Sequence, residues 1–410
     1  MRIVHAADIH LDSPMRGLSR FAGDDLARRL RRSSRDALEN LVRLVVDERA
    51  QALVLAGDIY DGDWPDYATG KFFADQMDFL HQHGIRVFMV AGNHDAESVV
   101  TKAVRLPKNV DVLSTDQVET VIDGSLGLAV HGQGYAVRAV RENLALSYPD
   151  RTPGLVNIGV LHTAVTGAEG HEPYAPCTPS DLEKARYEYF ALGHVHKHRV
   201  VNGGQWVAAF SGNLQGRHVK ETGPKGALVV DLEVDAPASV RFVPLDVARW
   251  ADIRVDASDR RTFDDVLDSV EEHLGDARAG IGERPLVARV TVEGTTAAAG
   301  ALSDRDRLSA EVSGLAERRG VTLEKAVSRA VFPRAAGRVD EQLIEAIKRR
   351  GGELAVDVDA LLDLVKPLDR EFGRVLRAKD SLDLRDEDFL RGLTESAING
   401  LVAKLSSGEA

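Results

Sequence analysis

The chain has 410 residues, 44% of them hydrophobic, one cysteine and a net charge of −12. No uncharged apolar run nears the roughly 20 residues a membrane-spanning helix needs, and Cys177 alone can form neither an internal disulfide nor a CxxC metal site. The acidity is spread along the chain, with 27 basic and 32 acidic side chains in residues 1–250 and 25 and 32 beyond, which argues against a protein that coats nucleic acid by bulk charge.

The opening MRIVHAAD reads directly into a strand, Ile3–Ala7, without the basic start and cleavage site of a signal peptide, so a reducing cytoplasm is the expected setting. Leu26–Glu48 has helical spacing, with Leu30, Leu38, Leu41, Leu44 and Val45 as its buried stripe. Ala52–Ala56 predicts a strand, Phe72–His83 a helix and Val87–Ala91 a strand, the alternation of an α/β sheet with helices on its faces. Leu126–Val130, Val156–Leu161, Tyr189–Leu192, Trp206–Phe210 and Ala227–Leu232 add strands with less helix between them, which predicts a second, more antiparallel sheet. A boundary is expected near 245–252. It is followed by strand Ala251–Val255, helix Thr262–Leu274, strand Leu286–Val292, helix Arg305–Arg319 and a last strand, a small α+β module. A second boundary is expected near 333–339, and beyond it the chain is polar and helical: Asp340–Arg350, Ala360–Leu376 and Asp386–Leu405. The last of these places Phe389, Leu390, Leu393, Ile398, Leu401, Val402 and Leu405 on one broad face that needs cover from a partner helix or from its own domain.

Five short signals stand at the ends of apolar runs: Asp8-Ile9-His10, Gly57-Asp58, Gly92-Asn93-His94-Asp95, Leu161-His162-Thr163 and Gly193-His194-Val195-His196. Ligand sites of open α/β sheets form just beyond the carboxyl ends of strands, so the five can converge on one crevice. Singly each has a bland reading: a turn, a hydrogen-bonded core histidine, a surface pair. Together they offer carboxylate, imidazole and amide oxygen without thiolate. That set suits Mn²⁺, Fe²⁺, Zn²⁺ or Mg²⁺ and argues against a structural zinc. Two divalent ions roughly 3.5–4 Å apart can share a bridging carboxylate, for which Asp58 is the candidate. The glycines before Asp58, Asn93 and His194 are expected to let the backbone turn sharply towards the metals.

In this order the signals resemble the calcineurin-like metallophosphoesterase superfamily, whose pattern is DxH, GD, GNHD or GNHE, H and GHxH. The resemblance implies a two-sheet α/β/β/α sandwich with a small α+β capping domain and a helical C-terminal region, here divided as 1–248, 249–335 and 336–410. It implies two divalent ions, with Mn²⁺ foremost: Asp8, His10, Asp58 and His196 on one, Asp58, Asn93, His162 and His194 on the other. His94 would face the scissile phosphate, and Asp95 would hydrogen-bond and orient it. The segments from Ile3 to Asp12 and from Leu55 to Asp61 resemble the DNA-repair exonuclease branch (SbcD-like), and those from Ser211 to His218 and from Glu221 to Gly226 its YhaO-like subgroup. That branch implies a 3′ exonuclease, with endonuclease activity in view, whose partners are DNA and an SMC-like coiled-coil ATPase of the SbcC type docked on the C-terminal helices; a homodimer belongs to the same expectation. Two other readings stay open: a small-molecule phosphodiesterase or nucleotidase with the same centre, and a non-catalytic scaffold on the same fold.

Several nearby residues are ambiguous. Arg217, His218 and Lys220 could contact a phosphate backbone or be solvated loop charges. Arg28, Arg29, Arg31, Arg32 and Arg35 form a basic helix segment that reads as the exposed face of an amphipathic helix before it reads as a DNA contact. His5 is expected to pack beside the site, His131 is a weak candidate for its support, and Cys177 is taken as inert. Asp12, Asp61 and Asp63 could widen the acidic rim of the site but read first as turn residues.

Overall fold

The computed structural model describes residues 1–15, 17–61, 67–97, 104–165, 174–201, 206–333, 341–380 and 383–407, without the side chains of 341, 372–380 and 404–407. The chain divides into two compact units, 1–251 with 281–287, and 252–280 with 288–410.

The first unit opens with β1 (Arg2–Ala6), α1 (Asp24–Asp47), β2 (Ala52–Leu55), α2 (Tyr67–Gln82), β3 (Arg86–Met89) and β4 (Val110–Val112). It continues with β5 (Glu119–Asp123), β6 (Leu128–Gln133), β7 (Val156–His162), α3 (Pro179–Glu183), β8 (Tyr189–Gly193), β9 (Arg199–Val200), β10 (Val207–Phe210), β11 (Gly226–Asp231) and β12 (Ser239–Pro244). These strands form two six-stranded sheets, ordered β12-β11-β1-β2-β3-β4 and β5-β6-β7-β8-β10-β9. In the first, β1-β2-β3-β4 are parallel, and β11 and β12 are added antiparallel.

The second sheet departs from the expectation. Its centre, β6-β7-β8-β10, is parallel, and only its edge strands β5 and β9 pair antiparallel. The cause lies in the connections: among the described residues, the crossovers run through loops and the short α3 rather than through long helices. The strands themselves carry the mark of a parallel sheet, since β6, β7 and β8 are buried at every residue.

Strand alternation sorts the core into layers. Val4, Leu53, Leu55, Val87 and Met89 face Leu38, Leu41 and Val45 of α1 and Phe73, Met77 and Leu80 of α2. Ile3, Val54 and Phe88 face the other way and pack against Val130, Ile158, Val160, Tyr189 and Ala191 of the second sheet. The outer face of that sheet, Leu161, Phe190, Leu192 and Phe210, is covered by Tyr148, Leu182 and Tyr187. Each such buried side chain contributes about 1.5–3 kcal/mol, so the two sheets are fixed against each other from both sides. This two-sheet α/β sandwich is the predicted fold class.

The second unit contains a three-stranded sheet, β13-β14-β15, built from β13 (Arg249–Asp256), β14 (Leu286–Glu293) and β15 (Thr322–Ser328). Its helices are α4 (Phe263–Arg278), α5 (Ala299–Leu302), α6 (Arg305–Arg318), α7 (Glu341–Val356), α8 (Val358–Asp380) and α9 (Glu387–Ser407). Thr262 starts α4 by a capping box with Asp265, satisfying two N–H groups that the first turn would leave free. The apolar stripe foreseen on the last helix is divided: Leu390 is buried and Ile398 packs on Gly351 of α7, whereas Leu393 and Leu401 are exposed. The Leu405 side chain, Asp63 and the residues 334–339 of the second expected boundary lie outside the described residues. Among the described residues no helix is long and apolar enough to cross a membrane.

Candidate metal centre

The five sequence signals meet at the carboxyl ends of β1, β2, β3, β7 and β8. Three overlapping groups of donor atoms lie within 4.8 Å of one another: Asp8, His10 and His196; His10, Asp58 and His94; Asp8, Asp58 and His162. His10 Nε2 is 3.2 Å from His196 Nε2, and His196 Nε2 is 3.7 Å from Asp8 Oδ1. Asp58 Oδ2 lies 3.4 Å from His162 Nε2 and 3.8 Å from His10 Nε2. Asn93 Oδ1 is 3.0 Å from His162 Nε2, and the His194 ring stands 5.3 Å from that of His162. Asp8, His10, Asp58, Asn93, His162 and His194 are buried, whereas the His196 and His94 side chains are 22% and 31% exposed, so the cluster has a dry floor and an open rim.

The backbone is bent to achieve this. Asp8, His10, Asp58 and His194 have φ of 51°, 46°, 54° and 96°, in the left-handed region that L-residues avoid. Cross-strand bonds hold them there. Asp8 N donates to the Gly57 carbonyl and His10 N to that of Asp58, both at 3.0 Å, and His194 N donates to the Asp8 carboxylate at 3.1 Å. Of the three glycines, only Gly57 has positive φ, at 92°. Gly92 and Gly193 are required by space instead. A Cβ on Gly92 would lie 2.2 Å from Asp58 Oδ1, and one on Gly193 would lie 1.9 Å from the Ala56 carbonyl oxygen.

Asp95 does not orient His94. Its buried carboxylate turns back beneath the chain and accepts from the backbone N–H groups of Ile59, Tyr60 and Gly92 at 2.9–3.2 Å, tying the loop after β3 to the loop after β2. Burial, together with the charge of Asp58, lifts it to about 6. The partner of His94 is Asp61, whose Oδ1 is 3.0 Å from His94 Nδ1. Asp61 also accepts from the Ser13 hydroxyl at 2.5 Å and lies 3.8 Å from Arg217 Nη1. Far from a turn residue, it is part of the site. The signal that could have found it is a carboxylate three positions beyond Asp58. A second omission is Glu221, 2.7 Å from His196 Nδ1.

The electrostatics follow from burial against pairing. Burial pushes the Asp58 carboxyl up, but His162, His10 and His94 outweigh it and hold Asp58 well below the ordinary range. Burial likewise depresses His162, yet Asp58 prevails and keeps it at about 9. His10 is driven down to about 3 by burial. The Asp61 hydrogen bond raises His94 against its own partial burial.

The remaining nominated residues sort clearly. Arg217 lies beside the cluster, its Nη2 3.1 Å from Glu221 Oε1, and His218 is half-exposed beside the same carboxylate at 3.7 Å. His5 is buried between the sheets, its Nδ1 2.8 Å from the Tyr189 hydroxyl. His131 bonds Thr120 and Asn157 and stacks on Tyr187. Asp12 is taken by Arg35 and Thr69, and Arg28 and Arg32 pair with acids of their own helix. Cys177 is buried beside Thr163, and burial pushes its thiol up to about 11.

The donor chemistry fits divalent cations. Two buried carboxylates, an amide oxygen and imidazole nitrogens converge, and two of those nitrogens face each other at 3.2 Å, while His10 turns its other nitrogen, Nδ1, to the Asp61 carboxylate at 3.6 Å. Buried acceptors so crowded carry a desolvation cost that a cation would offset. Residues 1–198 match the calcineurin-like phosphoesterase family, and residues 250–330 match the middle domain of the metallophosphoesterase YhaO. The uncharacterized metallophosphoesterase YhaO of Bacillus subtilis (strain 168) is 30% identical over 298 residues, 72% of either chain. The SbcD component of the nuclease SbcCD from the same organism is 25% identical over 60% of this chain and 70% of its own. The DNA double-strand break repair protein Mre11 of Methanocaldococcus jannaschii is 21% identical over 66% of this chain and 73% of its own. The chain belongs to the calcineurin-like metallophosphoesterase family, and is a hydrolase related to these three proteins.

Proposed function

We propose that this chain is a two-metal-dependent DNA nuclease of the SbcD-like type, a 3′ exonuclease with endonuclease capacity, working in DNA repair beside an SMC-like ATPase. The observation that carries this is the meeting of Asp8, His10, Asp58, His162 and His196 within overlapping 4.8 Å groups, with His94 at their rim. The similarity to the SbcD component of the nuclease SbcCD and to Mre11 supports DNA as substrate. Asp8, His10, Asp58 and His196 would hold one ion and Asp58, Asn93, His162 and His194 the other, with Mn²⁺ the preferred metal. Two such ions supply Lewis-acid polarisation of the phosphoryl oxygens and activation of water.

His94 is the proton carrier in this reading. Asp61 engages its Nδ1 and favours its charged form, so Nε2 is the atom that can donate to the leaving oxygen. Arg217 and His218, at the rim, would meet the phosphate backbone. The division into phosphoesterase (1–248), capping (249–335) and helical (336–410) modules is part of the proposal. Exposed Leu343, Leu364, Leu368, Leu393 and Leu401 on α7, α8 and α9 support docking of a coiled-coil partner there.

One observation, the net charge of −12, favours a second reading: a small-molecule phosphodiesterase or nucleotidase with the same centre. Digestion of end-labelled duplex and hairpin DNA with added Mn²⁺ separates the two. Shortening from the 3′ end supports the nuclease; hydrolysis of mononucleotides or cyclic nucleotides with DNA left intact overturns it.

A further inference from the structure

Resting on the two-ion reading above, we infer that Glu221 is a positioning residue for the cation held by His196, and that it makes this pocket the tighter of the two. The loop between β10 and β11 is folded around that one histidine. Glu221 Oε1 accepts from His196 Nδ1 at 2.7 Å. On the other side, the Lys225 ammonium donates to the His196 carbonyl at 2.8 Å, and the Asn213 N–H donates to the same carbonyl at 3.4 Å. Glu221 is 6% exposed, and its further hydrogen bonds come from the same loop: Arg217 N at 2.7 Å, Arg217 Nη2 at 3.1 Å and Asn213 Nδ2 at 3.0 Å. A buried carboxylate supplied with this many donors is held in one place.

The consequence falls on the far edge of the ring. With Nδ1–H given to a carboxylate, His196 turns Nε2 towards Asp8 and His10, 3.7 Å and 3.2 Å away. An anionic acceptor fixes the tautomer and makes Nε2 a stronger donor to a metal. His162, in the other pocket, is served differently: its Nδ1 faces the neutral carbonyl of Ala56 at 2.9 Å. A carboxylate thus stands behind His196 and a neutral carbonyl behind His162, one imidazole from each pocket. Arg217 moderates the difference, because its guanidinium reaches Glu221 at 3.1 Å, Asp61 at 3.8 Å and His196 Nδ1 itself at 3.4 Å, the last longer than the 2.7 Å from that nitrogen to Glu221, and draws on the same negative charge.

The test is a Mn²⁺ titration of the metal-stripped full chain, with free Mn²⁺ counted by electron paramagnetic resonance and heats by calorimetry. Wild type should take two ions in two resolved stages, and His162→Ala should lose the weaker one, which assigns the stages to pockets. Glu221→Gln keeps the side chain's shape and removes its charge. It should weaken the tighter stage by about 10- to 100-fold and leave the other unmoved. Arg217→Gln should leave the tighter stage unchanged or tighten it. The inference is overturned if Glu221→Gln binds both ions as wild type does or weakens only the His162 stage. It is also overturned if Arg217→Gln loosens the tighter stage as Glu221→Gln does, since Glu221 would then only staple its loop. Melting in EDTA reports whether Glu221→Gln folds as wild type, and if it does not, the sign of the Arg217→Gln effect decides. A wild-type chain that takes up no ion pair sinks the two-ion reading instead.

Discussion

The two sheets of the first unit are alike at their centres and unlike at the ends of their strands. Each has four parallel strands, which the second sheet flanks with one antiparallel strand on either side and the first extends beyond β1 alone with β11 and β12. The first sheet runs out into Asp8, His10, Asp58, Asp61 and Asn93, and so delivers the carboxylates; the second runs out into His162, His194 and His196, and delivers only imidazoles. Carboxylates bring the charge that a dication requires, and neutral imidazoles bring affinity without further repulsion between anions. Neither sheet alone carries a sufficient set. The site exists only where the apolar layer of Ile3, Val54 and Phe88 against Val130, Ile158 and Val160 holds the sheets together.

The largest effects should come from removing the donor that joins the two contributions. Asp58→Ala should abolish phosphoester hydrolysis and bring metal content, measured by mass spectrometry, from about two ions to none. His162→Ala should leave about one. If His162→Ala keeps both ions and full activity, the second sheet is only a support and the comparison fails. Next in size is His94→Ala, with both ions retained and turnover down about 10²- to 10⁴-fold. Equal loss of metal in His94→Ala and Asp58→Ala would instead make His94 a ligand. Asp61→Asn, which leaves the His94 ring in place and weakens its hold, should cost less, about 10- to 100-fold in turnover with metal content unchanged.

What the sequence disclosed follows from the same contrast. The nominated donors were legible because each belongs to a short motif closing an apolar run, and a fully buried parallel strand reads as such a run. Asp61 and Glu221 were not, because their meaning lies in contacts with His94 and with His196, the latter 25 residues away. Asp95 was assigned to its chain neighbour His94, but in a tight turn adjacent side chains diverge, and its carboxylate went to backbone N–H groups instead. The parallel order of the second sheet was hidden by its crossovers, which carry little helix. The edge strands β4, β5, β9 and β12 are half-buried or exposed throughout, so they leave no buried apolar run to read.

The seam between the sheets offers a sharper probe than any donor. At Gly193 the second sheet meets the first at backbone distance, and a Cβ there would lie 1.9 Å from the Ala56 carbonyl oxygen and 2.8 Å from His162 Nδ1. The neighbour is main chain, so the strands must part. Gly193→Ala should destabilise by about 1–3 kcal/mol in urea unfolding and lower metal affinity at the same time. Wild-type affinity on a destabilised fold would mean that the donors tolerate a wider seam than the close approach implies.

The smallest effect concerns His5, which lies in that seam but carries no donor to the cluster. Burial lowers its folded pKa from the ordinary 6.5 to about 3. Below 6.5 the unfolded chain therefore binds a proton that the folded chain refuses, so the stability present above that value is lost as pH falls towards 3. His5→Asn removes the titrating ring and keeps a polar group for the Tyr189 hydroxyl. In EDTA, which takes metal release out of the comparison, the melting temperature of the variant should fall less than that of wild type between about pH 7 and about pH 5. Parallel slopes would show that the ring is protonated inside the fold, and that the layer between the sheets admits more water than its packing of Ile3, Val54 and Tyr189 suggests.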